Sequence, residues 1–225
     1  MRVRLFSEIQ QELGERRGWF PGSGDVVLNQ QRGLGVIRHV AICDDDGTPK
    51  YDQFLHTEPV GAVTVPVNSK GELGVIDIWR PTIPTAAEYR FPHLDVAALG
   101  VMSTEFPRGF PKKGEDGAQT AHREAEEELG SPIRRVEQIG EWTPSTTYNP
   151  YRIPVFAAWL DEVRAADVAA KRVLPPPDVN ERILNVQWVP IEILFSLMRQ
   201  RRLHCGATQS ALMLYIAQYG KVTMK

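Results

Sequence analysis

The segment Gly114–Pro132, GEDGAQTAHREAEEELGSP, constrains this chain most. Asp116 and Gln119 stand at capping-box spacing, and Gly130 followed by Pro132 is a stop signal. The spacing therefore predicts a helix of about three turns from near Gly117 to Leu129. On a wheel advancing about 100° per residue with Glu124 at zero, Glu127 falls at about 300° and Glu128 at about 40°. These three carboxylates share a face. Ala118, Ala121, Ala125 and Leu129 cluster near about 60–140°, a narrow apolar strip for a core, while Glu126 points away at about 200°. His122 lies about 160° round the helix from Glu124 and is excluded as a co-ligand.

Glu126, Glu127 and Glu128 sit in the last turn, where negative charge meets the negative end of the helix dipole. Like charges at this spacing also repel. A solvated acidic face is the ordinary fate of such a run. This one calls for a cationic partner, and a hard divalent ion with oxygen ligands, such as Mg²⁺, is the natural candidate.

The rest of the chain reads as strands interleaved with a few helices. Asp25–Asn29, Gly35–Cys43 and Tyr51–His56 have strand character, with Asp44-Asp45-Asp46-Gly47 as a hairpin turn. Gly61–Val67 and Leu73–Trp79 are apolar, β-branched runs joined by a second turn at Asn68–Gly71. Residues 81–93 form an irregular Pro/Thr/aromatic connection, followed by strand candidates at Asp95–Met102 and Thr104–Phe106. Strands are expected at Val136–Thr143, Ile153–Leu160 and Ile183–Val189, and helices at Leu5–Arg16, Asp161–Val173, Ile191–Arg201 and Thr208–Tyr219. This order indicates a layered α/β (α+β) fold. Residues 1–57 read as an N-terminal helix and small antiparallel sheet, and 58–225 as the main domain.

Composition narrows the function classes. A formal charge of −2 argues against a nucleic-acid binder. No apolar run reaches membrane-spanning length, and the first residues carry no apolar stretch of signal-peptide length. Cys43 and Cys205 form neither a CxxC pair nor a disulfide framework and read as small buried hydrophobes. A reducing cytoplasm is the expected setting.

The stretch Gly109–Ser131 resembles the Nudix box, GX5EX7REUXEEXGU, where U is a bulky aliphatic residue. Gly109, Glu115, Arg123, Glu124, Glu127, Glu128 and Gly130 occupy its seven fixed positions at the family's spacing. Ala125 and Ser131 depart from the aliphatic positions. The resemblance implies an α/β/α sandwich with a mixed central sheet and a hydrolase that cleaves a pyrophosphate bond with Mg²⁺, or Mn²⁺. By the match, Glu124, Glu127 and Glu128 bind the metal, and the backbone carbonyl of Arg108 completes its shell. Glu115 either assists them or pairs with Arg123 to hold the loop on the helix.

Other segments are similar to the ADP-ribose pyrophosphatase branch. Gly61–Val65 and the strand ending at Arg80 match that branch's GAVxV strand and its arginine-terminated strand, and Glu105–Gly109 stands where the branch has ELPAG. Arg80, Glu105 and Arg108 are then substrate-binding candidates, with Lys112 and Lys113 as further cations near the phosphates. Glu181 matches the loop glutamate that serves as general base, with Asp178 in reserve. ADP-ribose or another nucleotide sugar is the implied substrate, and a homodimer built through the N-terminal region the implied assembly. Pro107-Arg108-Gly109, and Tyr148 seventeen residues past Ser131, are closer to dinucleoside polyphosphate hydrolases. The resemblance also leaves room for a nucleoside triphosphate pyrophosphohydrolase and for a non-catalytic ligand-sensing domain.

Overall fold

The computed structural model describes residues 2–5, 26–29, 36–80, 101–171 and 183–220. The chain divides into two compact units, Met1–Val60 with Thr143–Ile153, and Gly61–Trp142 with Pro154–Lys225.

The first unit holds a four-stranded sheet of β1 (Arg2–Leu5), β2 (Val26–Asn29), β3 (Val36–Cys43) and β4 (Pro49–Thr57). β3 is central. It pairs antiparallel with β4 across the Asp44–Gly47 turn, and it also pairs antiparallel with β1 and with β2. Leu5, expected to open a helix, instead ends β1, where it pairs with Val40. The remainder of that expected helix lies outside the described residues. Buried Cys43 is a free thiol, as is half-buried Cys205.

The second unit is built on a mixed sheet of seven strands. β5 (Ala62–Val67) and β6 (Leu73–Arg80) form the hairpin expected at Asn68–Gly71, with Val67 opposite Leu73. Beyond the turn a returning segment lies between them. β7 (Val101–Glu105) pairs with β6, and β8 (Arg108–Gly109) pairs with β5. Two strands were expected on either side of Ser103, Asp95–Met102 and Thr104–Phe106, and residues 95–100 of the first lie outside the described residues. The ladder to β6 instead runs unbroken from Val101 to Glu105, because Ser103 is buried opposite Ile78 rather than turned out.

β9 (Ile133–Trp142) and β10 (Ile153–Leu160) extend the sheet from β5, with β10 parallel to it, and β11 (Ile183–Val189) pairs antiparallel with β6. β9 starts three residues earlier than its pattern suggested. Ile133 is buried beside Leu129, and its amide donates to the Glu126 carboxylate.

The carboxylate helix, α1 (Gly117–Leu129), forms as its sequence predicts. Asp116 and Gln119 make the reciprocal capping box, and Gly130 ends the helix at φ 62°, a left-handed conformation that suits glycine. Ala121, Ala125 and Leu129 are buried against the sheet, packing with Ala62, Phe156, Ile76 and Ile78. α2 (Glu162–Lys171), α3 (Ile191–Arg199) and α4 (Gly206–Tyr219) follow. α4 packs on β5 and β9. Val63 and Val65 are buried although they alternate with the α1-facing Ala62 and Thr64, so both faces of β5 are covered. This is the α/β/α sandwich. Among the described residues no helix is long and apolar enough to cross a membrane.

Candidate active site

The segment between β5 and β6 carries Glu105–Gly109 to the edge of α1. Its position is held at several points. The Thr64 amide donates to the Pro107 carbonyl at 2.9 Å, and the Thr64 hydroxyl donates to the Ala121 carbonyl of α1 at 3.1 Å. The Phe106 amide donates to the Thr208 hydroxyl of α4 at 3.0 Å. Thr64, Phe106 and Thr208 are all buried. Gly109 then lies directly against Glu124. A Cβ at Gly109 would come within 2.0 Å of Glu124 Oε1 and 2.1 Å of its carboxyl carbon, so only glycine leaves that carboxylate its place.

Arg123 gathers the acids of the helix. Its guanidinium pairs bidentately with Glu115, at 2.8 and 2.9 Å, and reaches Glu124 at 2.7 Å and Glu127 at 2.9 Å. It also donates to the Phe110 carbonyl at 2.9 Å, which ties the loop to the helix. Of the two roles open to Glu115, the geometry displays the pairing with Arg123. Lys112 adds a second cation, its ammonium 2.9 Å from Glu127 and its amide 2.8 Å from Glu115. Lys113 is exposed.

These contacts set the protonation states. Hydrogen bonds from Arg123, then the Lys112 amide, bring the Glu115 carboxyl down to about 2. Burial pushes Glu127 up, but hydrogen bonds from Lys112 and Arg123 outweigh it and hold it below the ordinary carboxylate range. The same pairs, Glu115 foremost, raise Arg123. Glu115, Glu127 and Arg123 are thus ionised throughout the neutral range.

The wheel places Glu124, Glu127 and Glu128 on one face, and the structure gives them different degrees of exposure. Glu127 has 47% of its side chain exposed, whereas Glu128 is 7% exposed. Glu128 sits on the flank of α1 that borders Ala121, Ala125 and Leu129, which pack on the sheet. Among the described residues no three His, Cys, Asp or Glu side chains stand together in a geometry ready for a metal ion. Arg123 brings positive charge to Glu124 and Glu127, and Lys112 brings it to Glu127. Glu126 points away as expected, onto the Ile133 amide at 2.9 Å. His122, excluded as a ligand, bonds the Ile133 carbonyl at 3.0 Å.

A second charged group lies on β6 and β7. Glu105, 2% exposed, takes hydrogen bonds from Arg80 at 2.9 and 3.2 Å and an ion pair from Arg108 at 3.2 Å. Burial raises its carboxyl, but the Arg80 hydrogen bonds, the charges of Arg108 and Arg80, and the Ser103 hydroxyl together bring it below its usual value. Arg80 is therefore engaged with a buried carboxylate of the protein itself.

Tyr148 belongs to the first unit. Its ring stacks on His56 with centroids 6.0 Å apart, its carbonyl accepts from the His56 amide at 2.8 Å, and 46% of it is exposed. Glu181 and Asp178 lie outside the described residues, as does the connection at 81–93. Sequence reasoning missed Thr64 and Thr208. A threonine within a buried strand signals a buried hydroxyl that needs a partner, but nothing in the local pattern names one.

Residues 57–205 match the family model for the NUDIX domain, about two thirds of the chain. The chain belongs to the NUDIX family. No curated protein matches it. Membership makes it a Nudix-type hydrolase in the general sense, one of a superfamily that acts on a diphosphate linked to a nucleotide moiety and that is typically Mg²⁺-dependent. The matched span includes Arg80, Glu105, the whole Gly109–Gly130 box, Tyr148 and Glu181, and it stops three residues short of Thr208.

Proposed function

We propose that this NUDIX protein is a Mg²⁺-dependent pyrophosphohydrolase that cleaves the diphosphate of ADP-ribose, or of another nucleotide sugar, and releases a nucleoside monophosphate. The observation that carries this reading is the close seating of Gly109 on the Glu124 carboxylate, beside the acids that Arg123 gathers. Carboxylates and a backbone carbonyl are the donor set that a hard divalent ion prefers. Buried Glu128, flanking Glu124, supports the same assignment.

Glu124, Glu127 and Glu128, with the Arg108 carbonyl, would hold the ion, and Mn²⁺ would serve in its place. When bound, the ion neutralises the diphosphate and polarises the phosphorus under attack. Glu115 and Arg123 hold the loop on the helix. Arg108 and Arg80, with Glu105 as their shared counter-ion, face the phosphoryl oxygens and stabilise developing charge. Glu181 accepts the proton of the attacking water, with Asp178 as the substitute. The cytoplasm is the proposed location.

A dinucleoside polyphosphate is the second reading. It is favoured by the exposed Tyr148–His56 stack, a surface suited to a nucleobase, and by Arg108 in the Pro-Arg-Gly entry to the box. The deciding experiment incubates the protein and Mg²⁺ with ADP-ribose, sugar nucleotides, dinucleoside polyphosphates and nucleoside triphosphates, and resolves the products by chromatography. AMP from ADP-ribose with a kcat/KM at least about tenfold above the others is the expected result, since tenfold corresponds to about 1.4 kcal/mol of discrimination. No product from any of them would leave a ligand-sensing role and defeat the hydrolase reading.

A further inference from the structure

We infer that Thr208, outside the matched family span and on the C-terminal helix α4, is a positioning residue for the metal-binding loop. The inference rests on the Arg108 carbonyl and Glu124 being metal ligands, as proposed above. The Thr208 hydroxyl accepts the Phe106 amide at 3.0 Å, with both residues fully buried. One residue on, the Pro107 carbonyl accepts the Thr64 amide at 2.9 Å. The next carbonyl is that of Arg108, and the next residue is Gly109, seated on the Glu124 carboxylate.

The approach to the Arg108 carbonyl is thus held twice, once within the sheet and once from a helix packed on it. Thr64 reaches it from β5 while its hydroxyl bonds α1, and Thr208 reaches it from α4. Glu105 and Arg108 flank the Phe106-Pro107 pair, and their ion pair joins side chains without anchoring the backbone. Valine in place of Thr208 keeps the shape but removes the acceptor, leaving a buried amide unsatisfied. The loop relieves that amide by shifting, and the shift moves the Arg108 carbonyl relative to Glu124.

The test compares wild type with Thr208→Val, Thr208→Ser and Ile216→Val, the last a packing control on the same helix. Mn²⁺ affinity is measured without substrate, from the paramagnetic resonance of the free ion. Thr208→Val should weaken Mn²⁺ binding about tenfold and lower kcat about tenfold, with KM within about twofold. Serine should restore both, and Ile216→Val should change neither.

In wild type the Phe106 amide should exchange with solvent at least about a hundredfold slower than an exposed loop amide. A folded Thr208→Val protein with wild-type Mn²⁺ affinity and kcat overturns the inference. If that variant does not fold, rapid exchange at Phe106 in wild type overturns it, and slow exchange together with wild-type behaviour of Thr208→Ser supports it. A wild type that binds Mn²⁺ but hydrolyses nothing defeats the proposed function alone, and the Mn²⁺ affinities still decide the role of Thr208. A wild type that binds no Mn²⁺ defeats both.

Discussion

Replacing Gly109 by alanine perturbs the candidate site at its tightest point. The added Cβ would stand 2.0 Å from Glu124 Oε1, 2.1 Å from Cδ and 2.6 Å from Oε2. An ordinary contact needs about 3.5 Å, so the carboxylate must retreat by roughly 1.5 Å. The obstacle is the far end of a flexible side chain, and Gly109 does not occupy the left-handed region, so the backbone need not move. The fold should therefore lose only about 1 kcal/mol, the lower end of the range for overpacking. Function should lose far more. A misplacement of about 1 Å in a catalytic constellation costs on the order of a hundredfold in rate, about 2.7 kcal/mol of transition-state stabilisation. Initial rates with saturating Mg²⁺ give kcat, and denaturant unfolding gives the stability change. A folded Gly109→Ala protein that retains a third or more of wild-type kcat would refute the claim that Glu124 must occupy that position.

Three further outcomes follow from the same geometry. Glu127→Gln should abolish Mg²⁺-dependent turnover while far-UV circular dichroism stays unchanged, since the half-exposed side chain is tied to the fold through Lys112 and Arg123 in the ion-pair cluster; a near-normal rate would remove Glu127 from the ligand set. Asp116→Ala breaks the capping box of α1 and should lower stability by about 1 kcal/mol in thermal unfolding, with kcat within about twofold, and no loss of stability would contradict the cap. Glu105→Gln removes the carboxylate shared by Arg80 and Arg108 and should lower stability by about 1.5 kcal/mol in urea, because the charged hydrogen bonds from the part-exposed guanidiniums are weakened; a neutral result would mean that this pair contributes little.

Much of the site was legible because it is local. The capping box, the glycine stop and the alternation of apolar and acidic positions on α1 depend on neighbours three or four residues apart, and the helix spans Gly117–Leu129 as its sequence implies. Glu126 turned away and the Ala121–Ala125–Leu129 strip turned inward for the same reason. The hairpin turns at Asp44–Gly47 and Asn68–Gly71 were equally readable, since turn chemistry is carried by the turn residues themselves.

Tertiary structure decided what lies beyond that range. That Arg80 finds Glu105 as its counter-ion depends on β7 pairing with β6, a contact between segments some twenty-five residues apart. Burial of Glu128 and exposure of Glu127 depend on what packs against each flank of α1, and a wheel has no neighbours. The bond from Thr208 to Phe106 joins residues 102 positions apart, so no periodicity announces it. The sequence determined that a carboxylate helix would form, where it would stop, and that its last turn would need positive charge. The packed fold decided that Arg123 and Lys112 meet Glu127, and that a loop inserted between two diverging strands sets Gly109 on Glu124. Helix propensity acts through adjacent residues, whereas the loop's position is fixed only when β5, β6, α1 and α4 close around it.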